Sequence, residues 1–340
     1  MNNSKLLSII IPVFNGANTL SRCVESIENT SKRDDISIII ADDGSTDGSI
    51  ELEQGLVEKY TNITILKLTH SGVVDARHTA LKTTDTDYIW FVDADDFVVE
   101  GATDIVVDAI VEKKTDIIAF SHKLKCGNQE NLMKQILKPG VYDRAGIERE
   151  IIPYICHDFR QKSFRKPVLD GFLWNKVFKR NLILDYICTD GRIKLFEDVL
   201  SITAAVFYAN SLYCIDAPLY VYVKEDSVTT NYRDDYFYNT YLCKEYMAGW
   251  IGLLPTEWHG IMAQGSNAFI VERLIVSITR EMRFKKSIKL VKPFVKGELD
   301  KYPIVKELRY KGLPFVIKCY LLLLKLHFYT LALWGSKIMA

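Results

Sequence analysis

The chain has 340 residues, 48% of them hydrophobic and 25% charged, and its 43 basic and 43 acidic side chains cancel. That balance excludes a disordered chain, and the length allows one large domain or two smaller ones. The seven cysteines are scattered, form no CxxC pair and lie at no metal spacing from a histidine, so a disulfide framework is excluded and reduced packing residues are expected.

In chain order, the opening "MNNSKLLSIIIPVF" has no basic leader followed by a long apolar stretch, because Pro12 and Asn15 interrupt the run. A cytoplasmic location is expected from this. Short β-branched runs follow at residues 6–14, 36–43, 62–68, 88–96 and 116–124, and each reads as a buried strand. Helical patterns fill most of the gaps, at Thr19 to Thr30, Asp47 to Tyr60, Val73 to Thr83 and Thr103 to Lys114. Alternating units of this kind predict a doubly wound α/β domain with a mostly parallel, Rossmann-like sheet flanked by helices. Ligands of such sheets collect outside the carboxyl ends of the strands. Asn15 and Gly16, Asp42 to Ser45, His70 to Gly72, and Asp93 to Asp96 all fall there.

From about Lys125 to Val223 the pattern is irregular and aromatic, with a helix expected at Glu197 to Ala209 and a strand at Leu212 to Val223. Beyond Arg233 it turns helical, at Asp234 to Trp250 and Glu257 to Phe284. Residues 280–340 carry fourteen Lys and Arg against four Asp and Glu, an excess of ten positive charges. An anionic partner is implied, either nucleic acid or a membrane surface. The final stretch "GLPFVIKCYLLLLKLHFYTLALWGSK" approaches the ~20 residues of a membrane span, but Lys318, Lys325 and His327 interrupt it. A helix lying in the membrane interface fits that pattern better than a span, and a core-packing helix is the alternative. The expected partner is therefore a membrane surface, with no nucleic acid, and the oligomeric state is open between monomer and homodimer.

Two carboxylate groups carry the chemistry. In "DDGS", Ser45 or Asp47 can cap the next helix, whereas Asp42 and Asp43, at the strand end, are harder to explain by capping and can accept from a base or a ribose hydroxyl. In "YIWFVDADDF", Asp93, Asp95 and Asp96 would repel one another unless a cation sits among them. Oxygen ligands of this kind suit Mg2+ or Mn2+ bridged to a phosphate. A DxD phosphatase fits less well, because Phe97 stands where that motif wants Thr or Val and the motif follows the fourth strand. A nicotinamide site fails sooner, since "NGANTL" follows the first strand in place of GxGxxG.

The order of "SIIIPVFNGANTLSRCVESI", "IIADDGSTDGS", "HSGVVDARHTAL", "YIWFVDADDF", "LWNKVFKRNLI", "FEDVLSITAAVF" and "LYVYVKEDSVT" resembles the family 2 glycosyltransferases of the GT-A fold, which build bacterial polysaccharides and lipid-linked glycans. The resemblance implies a catalytic domain over residues 1–230, with a nucleotide-binding half at 1–125 and an acceptor-binding half at 126–230. Residues 231–340 would form a helical region with a basic, apolar, membrane-associating tail. It implies that Pro12, Val13, Phe14, Asp42 and Asp43 hold the nucleobase and that Arg77 faces a diphosphate. Asp93 and Ala94 would lie at the nucleotide, Asp95 would bind Mn2+ or Mg2+, and Asp96 would be a further contact near the sugar. Asp198 would be the general base of an inverting transfer from a UDP-sugar to a glycan or lipid-linked acceptor, with Glu197 orienting donor or acceptor. Trp174, Asn175 and Lys176 would line the sugar site, Trp174 by stacking and Lys176 by reaching a phosphate or hydroxyl. The enzyme would act on the inner face of the cell membrane. A non-catalytic nucleotide-sugar-binding scaffold is the competing class. The last element departs from the family pattern: Val223 and Lys224 follow Tyr222 where an Arg is common, which leaves a phosphate contact from that loop in doubt.

Overall fold

A computed structural model describes residues 5–160, 167–224, 232–309 and 313–333. The chain divides into two compact units, one of residues 1–151 and 169–227, the other of residues 152–168 and 228–340. The segment 152–168 thus belongs with the C-terminal helices, although it interrupts the first unit in sequence.

The first unit runs β1 (Leu7–Val13), α1 (Leu20–Glu28), β2 (Ile36–Asp42), α2 (Ser49–Lys59), β3 (Ile63–Lys67), α3 (Val73–Thr83), β4 (Tyr88–Phe91), β5 (Phe97–Val98), α4 (Ala102–Lys113), β6 (Ile117–Cys126), β7 (Gln129–Met133), β8 (Gly140–Asp143), α5 (Arg144–Glu150), β9 (Lys176–Lys179), α6 (Arg180–Tyr186), α7 (Glu197–Tyr208) and β10 (Ser211–Val223). Its sheet has the order β3-β2-β1-β4-β9-β6-β10-β5, with β7 beside β6 and β8 beside β10. β1, β2, β3 and β4 pair in parallel, as the βα repeat predicts. β9 then enters antiparallel between β4 and β6, so the parallel run breaks at the "WNK" element. Nothing in the alternation of runs signalled that insertion, because β9 is four residues long and its partners lie far away in sequence.

β1 and β2 are buried along nearly their whole length, which explains why they read as continuous apolar runs. Ile9, Ile11, Ile38, Ile40, Trp90 and Phe120 form part of the core between sheet and helices. Trp90 is fully buried, donates its indole N–H to the Trp174 carbonyl at 2.8 Å and meets Phe120 edge-on at 5.6 Å. That bond ties β4 to the loop before β9. The run at 88–96 holds one strand and a turn: β4 stops at Phe91, the acidic residues form the turn, and β5, just past the run, pairs antiparallel with β10.

The loops after β1 and β2 are stitched to each other. Ser45 Oγ accepts from Asn15 N, Ser49 Oγ from Gly16 N, and Asn15 Oδ1 from Thr46 N, at 2.8–2.9 Å. Ser45 therefore holds the neighbouring loop instead of capping α2, whose N-cap is Gly48. Gly44 sits at φ +80°, and a Cβ there would lie 3.3 Å from the His70 nitrogen, so the turn requires glycine on both counts.

In the second unit, α8 (Tyr236–Leu253), α9 (Thr256–Lys285), α10 (Ile288–Lys301), α11 (Ile304–Glu307) and α12 (Phe315–Lys325) follow one another. α9 buries Phe269, Leu274, Ile275 and Ile278, and Gly265 lets it approach Cys156 closely, since a Cβ would meet the cysteine Cβ at 3.3 Å. α12 buries Ile317, Tyr320, Leu321 and Leu324 while Phe315, Val316 and Leu322 are exposed.

Among the described residues one buried carboxyl has no hydrogen-bond partner. Glu53 on α2 has no exposed surface and neither carboxylate oxygen has a hydrogen-bond partner. Burial, and then Asp42, push its carboxyl from 4.5 to about 7. The folded state holds that proton more tightly than the unfolded chain, so the stability it contributes is present below about pH 4.5 and lost as pH rises through about 7. Glu53→Gln is expected to stabilise the protein by about 1–3 kcal/mol at pH 8 and to change little at pH 5, measured by denaturant unfolding at both pH values.

Candidate active site

The turn after β4, the helix α3 and the first turn of α7 meet in one cluster of charge. Its centre is Arg77, on α3 and only 5% exposed. Its Nη2 donates to Asp93 Oδ1 at 2.7 Å and its Nη1 to Asp198 Oδ1 at 2.9 Å, with Glu197 Oε1 3.6 Å away. One guanidinium thus links the acidic turn after β4 to the acidic pair that opens α7, which lies 121 residues further along the chain than Arg77. The three carboxylates hold the Arg77 pKa above its ordinary value even though burial alone would lower it. The diphosphate role expected for Arg77 does not match this placement: its terminal nitrogens are engaged with protein carboxylates and its buried Nε has no hydrogen-bond partner.

Glu197 and Asp198 occupy the first turn of α7, which favours negative charge. Phe196 precedes them at φ +74°, a left-handed conformation unusual for a bulky side chain. Asp198 Oδ2 accepts from the Leu173 backbone N–H at 3.1 Å, so the carboxylate is held from both sides. Burial is the largest influence on each, followed for Glu197 by the Asp198 charge, and both carboxyls are pushed above the usual range. A carboxylate so disposed is a stronger base than a solvated one.

In the acidic turn the aspartates divide. Asp93 pairs with Arg77, and its N–H donates to Tyr220 Oη at 3.1 Å. Asp95 is exposed, and burial of its surroundings and the Asp93 charge raise its pKa. Ala94 between them is half-buried. Asp96, expected near the sugar, is instead structural: it is fully buried, and its two oxygens accept from Tyr220 Oη and Val223 N, each at 2.7 Å. Those bonds moor the turn to β10.

On the β1–β2 side, Phe14 is 50% exposed and stacks on His70 with ring centroids 4.2 Å apart. Pro12 is half-buried, whereas the Val13 side chain lies in the core and its carbonyl accepts from Asp43 N. The Val13 side chain is therefore out of reach of a ligand, and its expected contact with a nucleobase does not match this placement. Asp43 accepts from the N–H groups of Ser71 and Gly72 at 2.9 and 2.8 Å, and Asp42 from Ser45 N at 2.9 Å. Both carboxylates shape the loops in addition to any ligand contact.

The "WNK" element also differs from expectation. Trp174 is 4% exposed and lies in a stack with Phe172, Tyr220 and Tyr222, which leaves no indole face for a sugar. Asn175 and Lys176 have no exposed surface. The Lys176 ammonium donates to the carbonyls of Asp170 and Phe172 at 2.5 and 2.9 Å and to Asn175 Oδ1 at 2.7 Å, so all three of its protons are used inside the protein. The residues overlooked in the sequence are Leu173, whose backbone has no side-chain signature, and Tyr220, whose partners Asp93 and Asp96 lie more than 120 residues away.

Among the described residues no three acidic, His or Cys side chains are grouped to hold a metal. Asp95 is the one carboxylate of the turn that is exposed. A single exposed aspartate fits an octahedral Mg2+ or Mn2+ that takes one or two carboxylates and fills its shell with phosphate and water. A cavity of about 610 Å³ lies elsewhere, lined by Leu6, Thr86, Tyr88 and Arg180 near the amino ends of β1 and β4, and holds none of these carboxylates.

The family profile described as Glycosyl transferase family 2 matches residues 8–184, more than half of the chain. The chain belongs to glycosyl transferase family 2. It is 28% identical over 299 residues to the poly(ribitol-phosphate) beta-glucosyltransferase of Bacillus spizizenii, covering 86% of this chain and 40% of that protein. It is 30% identical over 170 residues to the poly(ribitol-phosphate) beta-N-acetylglucosaminyltransferase TarP of Staphylococcus aureus, covering 49% and 50%. The chain spans between 30% and 53% of the length of the first three curated relatives it matches. In fold it is similar to residues 1–349 of S. aureus TarS, with a TM-score of 0.71 at 16% identity over 98% of this chain and 90% of that one.

Removing the central cation tests the electrostatic account. Arg77→Gln is expected to cost about 3–5 kcal/mol of stability at pH 8, because three carboxylates are left facing one another. The loss should shrink at pH 5, where Glu197 and Asp198, already raised, take up protons. Equal losses at both pH values would show that Arg77 acts through packing alone.

Proposed function

We propose that the protein transfers a sugar from a UDP-sugar, with inversion, to a hydroxyl of a teichoic-acid-like or lipid-linked glycan. The observation that supports this reading is the linked cluster Asp93–Arg77–Asp198, in which one guanidinium joins the acidic turn after β4 to the acidic pair that opens α7. The donor assignment also draws on TarS, a protein of the same fold crystallised with UDP-GlcNAc, and the acceptor class on the poly(ribitol-phosphate) transferases among the relatives.

In this reading residues 1–125 bind the nucleotide. Phe14 covers the base, Pro12 and Asp43 border it, and Asp42 holds the loop between them. Asp93 and Ala94 lie at the ribose and diphosphate. Asp198 takes the proton from the acceptor hydroxyl as that oxygen attacks the anomeric carbon. Arg77 and Leu173 N fix its direction, and Glu197 adjusts its charge. Residues 126–230 then form the acceptor half. Asp95 would hold Mg2+ or Mn2+, which when bound neutralises the diphosphate as it departs.

Asp198→Ala and Asp95→Ala are each expected to reduce transfer at least a hundredfold, while only Asp95→Ala weakens Mn2+-dependent UDP binding measured by calorimetry. Full transfer by either variant would overturn its assignment. A wild type that binds UDP but turns over none of a broad donor panel would be a scaffold.

The C-terminal tail completes the proposal. No helix among the described residues is long and apolar enough to cross a membrane. On and after α12, Phe315, Val316, Leu322, Leu326 and Phe328 are exposed alongside Lys325, an arrangement suited to lying in a membrane interface on its cytoplasmic face. The acceptor would then be reached at the membrane surface. Phe315→Ser with Leu322→Ser is expected to lower binding to anionic vesicles by about tenfold or more in a flotation assay, since each buried apolar side chain contributes roughly 1.5–3 kcal/mol. An intact chain that stays wholly unbound would refute membrane docking.

A further inference from the structure

Phe172 is 40% exposed, although the four residues after it, Leu173 to Lys176, are buried. Its ring is backed by a prepared stack. It lies on Trp174 with centroids 4.6 Å apart and planes 12° from parallel, and Trp174 lies on Tyr220 at 4.4 Å and 14°. His122 meets Phe172 and Trp174 edge-on, at 5.8 and 4.7 Å. Burial, and then the nearby Lys176 charge, lower the His122 pKa to about 4, so the imidazole itself is neutral near pH 7. The main chain of Phe172 is held as well, because Lys176 Nζ donates to its carbonyl. The next residue, Leu173, donates its N–H to Asp198.

An exposed phenyl ring with a rigid aromatic backing, one residue from the group that aims the base, is a ligand platform. We propose that Phe172 supports the acceptor, and that the acceptor presents to it the C–H face of a pyranose ring. The flat ring covers apolar C–H groups while the sugar's hydroxyls stay free to reach polar partners, and two χ angles leave Phe little entropy to lose. Within the acceptor classes proposed above this selects a pyranose-bearing glycan over a bare ribitol-phosphate chain, because an open-chain polyol offers no comparable flat face. The acceptor side is favoured over the donor side because Phe14 and His70 mark the base-binding edge, on the loops after β1 and β3, whereas Phe172 is bonded to the residue that orients Asp198. The inference rests on the reading of Asp198 as the base that serves the acceptor.

Saturation-transfer NMR tests it on the full chain with UDP and the methyl β-glycosides of glucose, galactose and N-acetylglucosamine. The wild type is expected to saturate the ring C–H protons of at least one glycoside. Phe172→Ala should reduce that signal at least fivefold, and Phe172→Trp should retain it. Calorimetry with UDP, giving the wild-type affinity in Phe172→Ala, shows that the nucleotide half is intact. No saturation of any glycoside by the wild type, or equal signals from wild type and Phe172→Ala, would overturn the proposal. So would loss of saturation on the sugar protons of UDP-glucose or UDP-GlcNAc in place of the glycosides. Failure of UDP to bind the wild type would instead strike at the glycosyltransferase reading beneath it.

Discussion

The site depends on one buried cation. Arg77 lies among Asp93, Glu197 and Asp198, and without it two acidic segments far apart in sequence would repel across a poorly solvated space. Two of its bonds impose a geometry as well as a charge balance, since a planar guanidinium with both ends engaged fixes the direction of each carboxylate. The turn after β4 and the first turn of α7 are thereby set relative to each other by a side chain from α3. Ion pairing here positions groups; packing of the Ile-rich strands supplies most of the stability.

Around that link the protein supports each acidic segment a second time. The turn at 93–96 is moored to β10 through Asp96, Tyr220 and Val223, and Asp198 is met by a backbone N–H from the loop before β9. The antiparallel insertion of β9 between β4 and β6 brings that loop to the active edge of the sheet. A purely parallel continuation would need a long crossover there and would deliver a different segment. The break in the parallel run is thus part of how the site is assembled.

Much of this was legible in the sequence, and the limits have physical reasons. β1, β2, β3 and α3 follow from local periodicity, and the strand-end rule located the acidic turn and the DDGS loop. "FED" was recognisable as an acidic pair opening a helix. Burial was harder to read: Asp96, Asn175 and Lys176 are polar residues that the fold takes inside and satisfies with partners distant in sequence or with main-chain atoms. Trp174 was ambiguous for the same reason, because a tryptophan before a strand can stack on a ligand or on other rings. Phe172 stood in plain view within "GFLWNK", but only the burial of its neighbours makes its exposure informative.

The Lys176 clamp has a consequence for how substrate preference could change. Its ammonium grips carbonyl oxygens at positions 170 and 172, atoms that every amino acid possesses. The shape of the loop is therefore insured against the identity of the side chain at 172. That position can be rewritten, by evolution or by design, while Asp198 beside it keeps its direction.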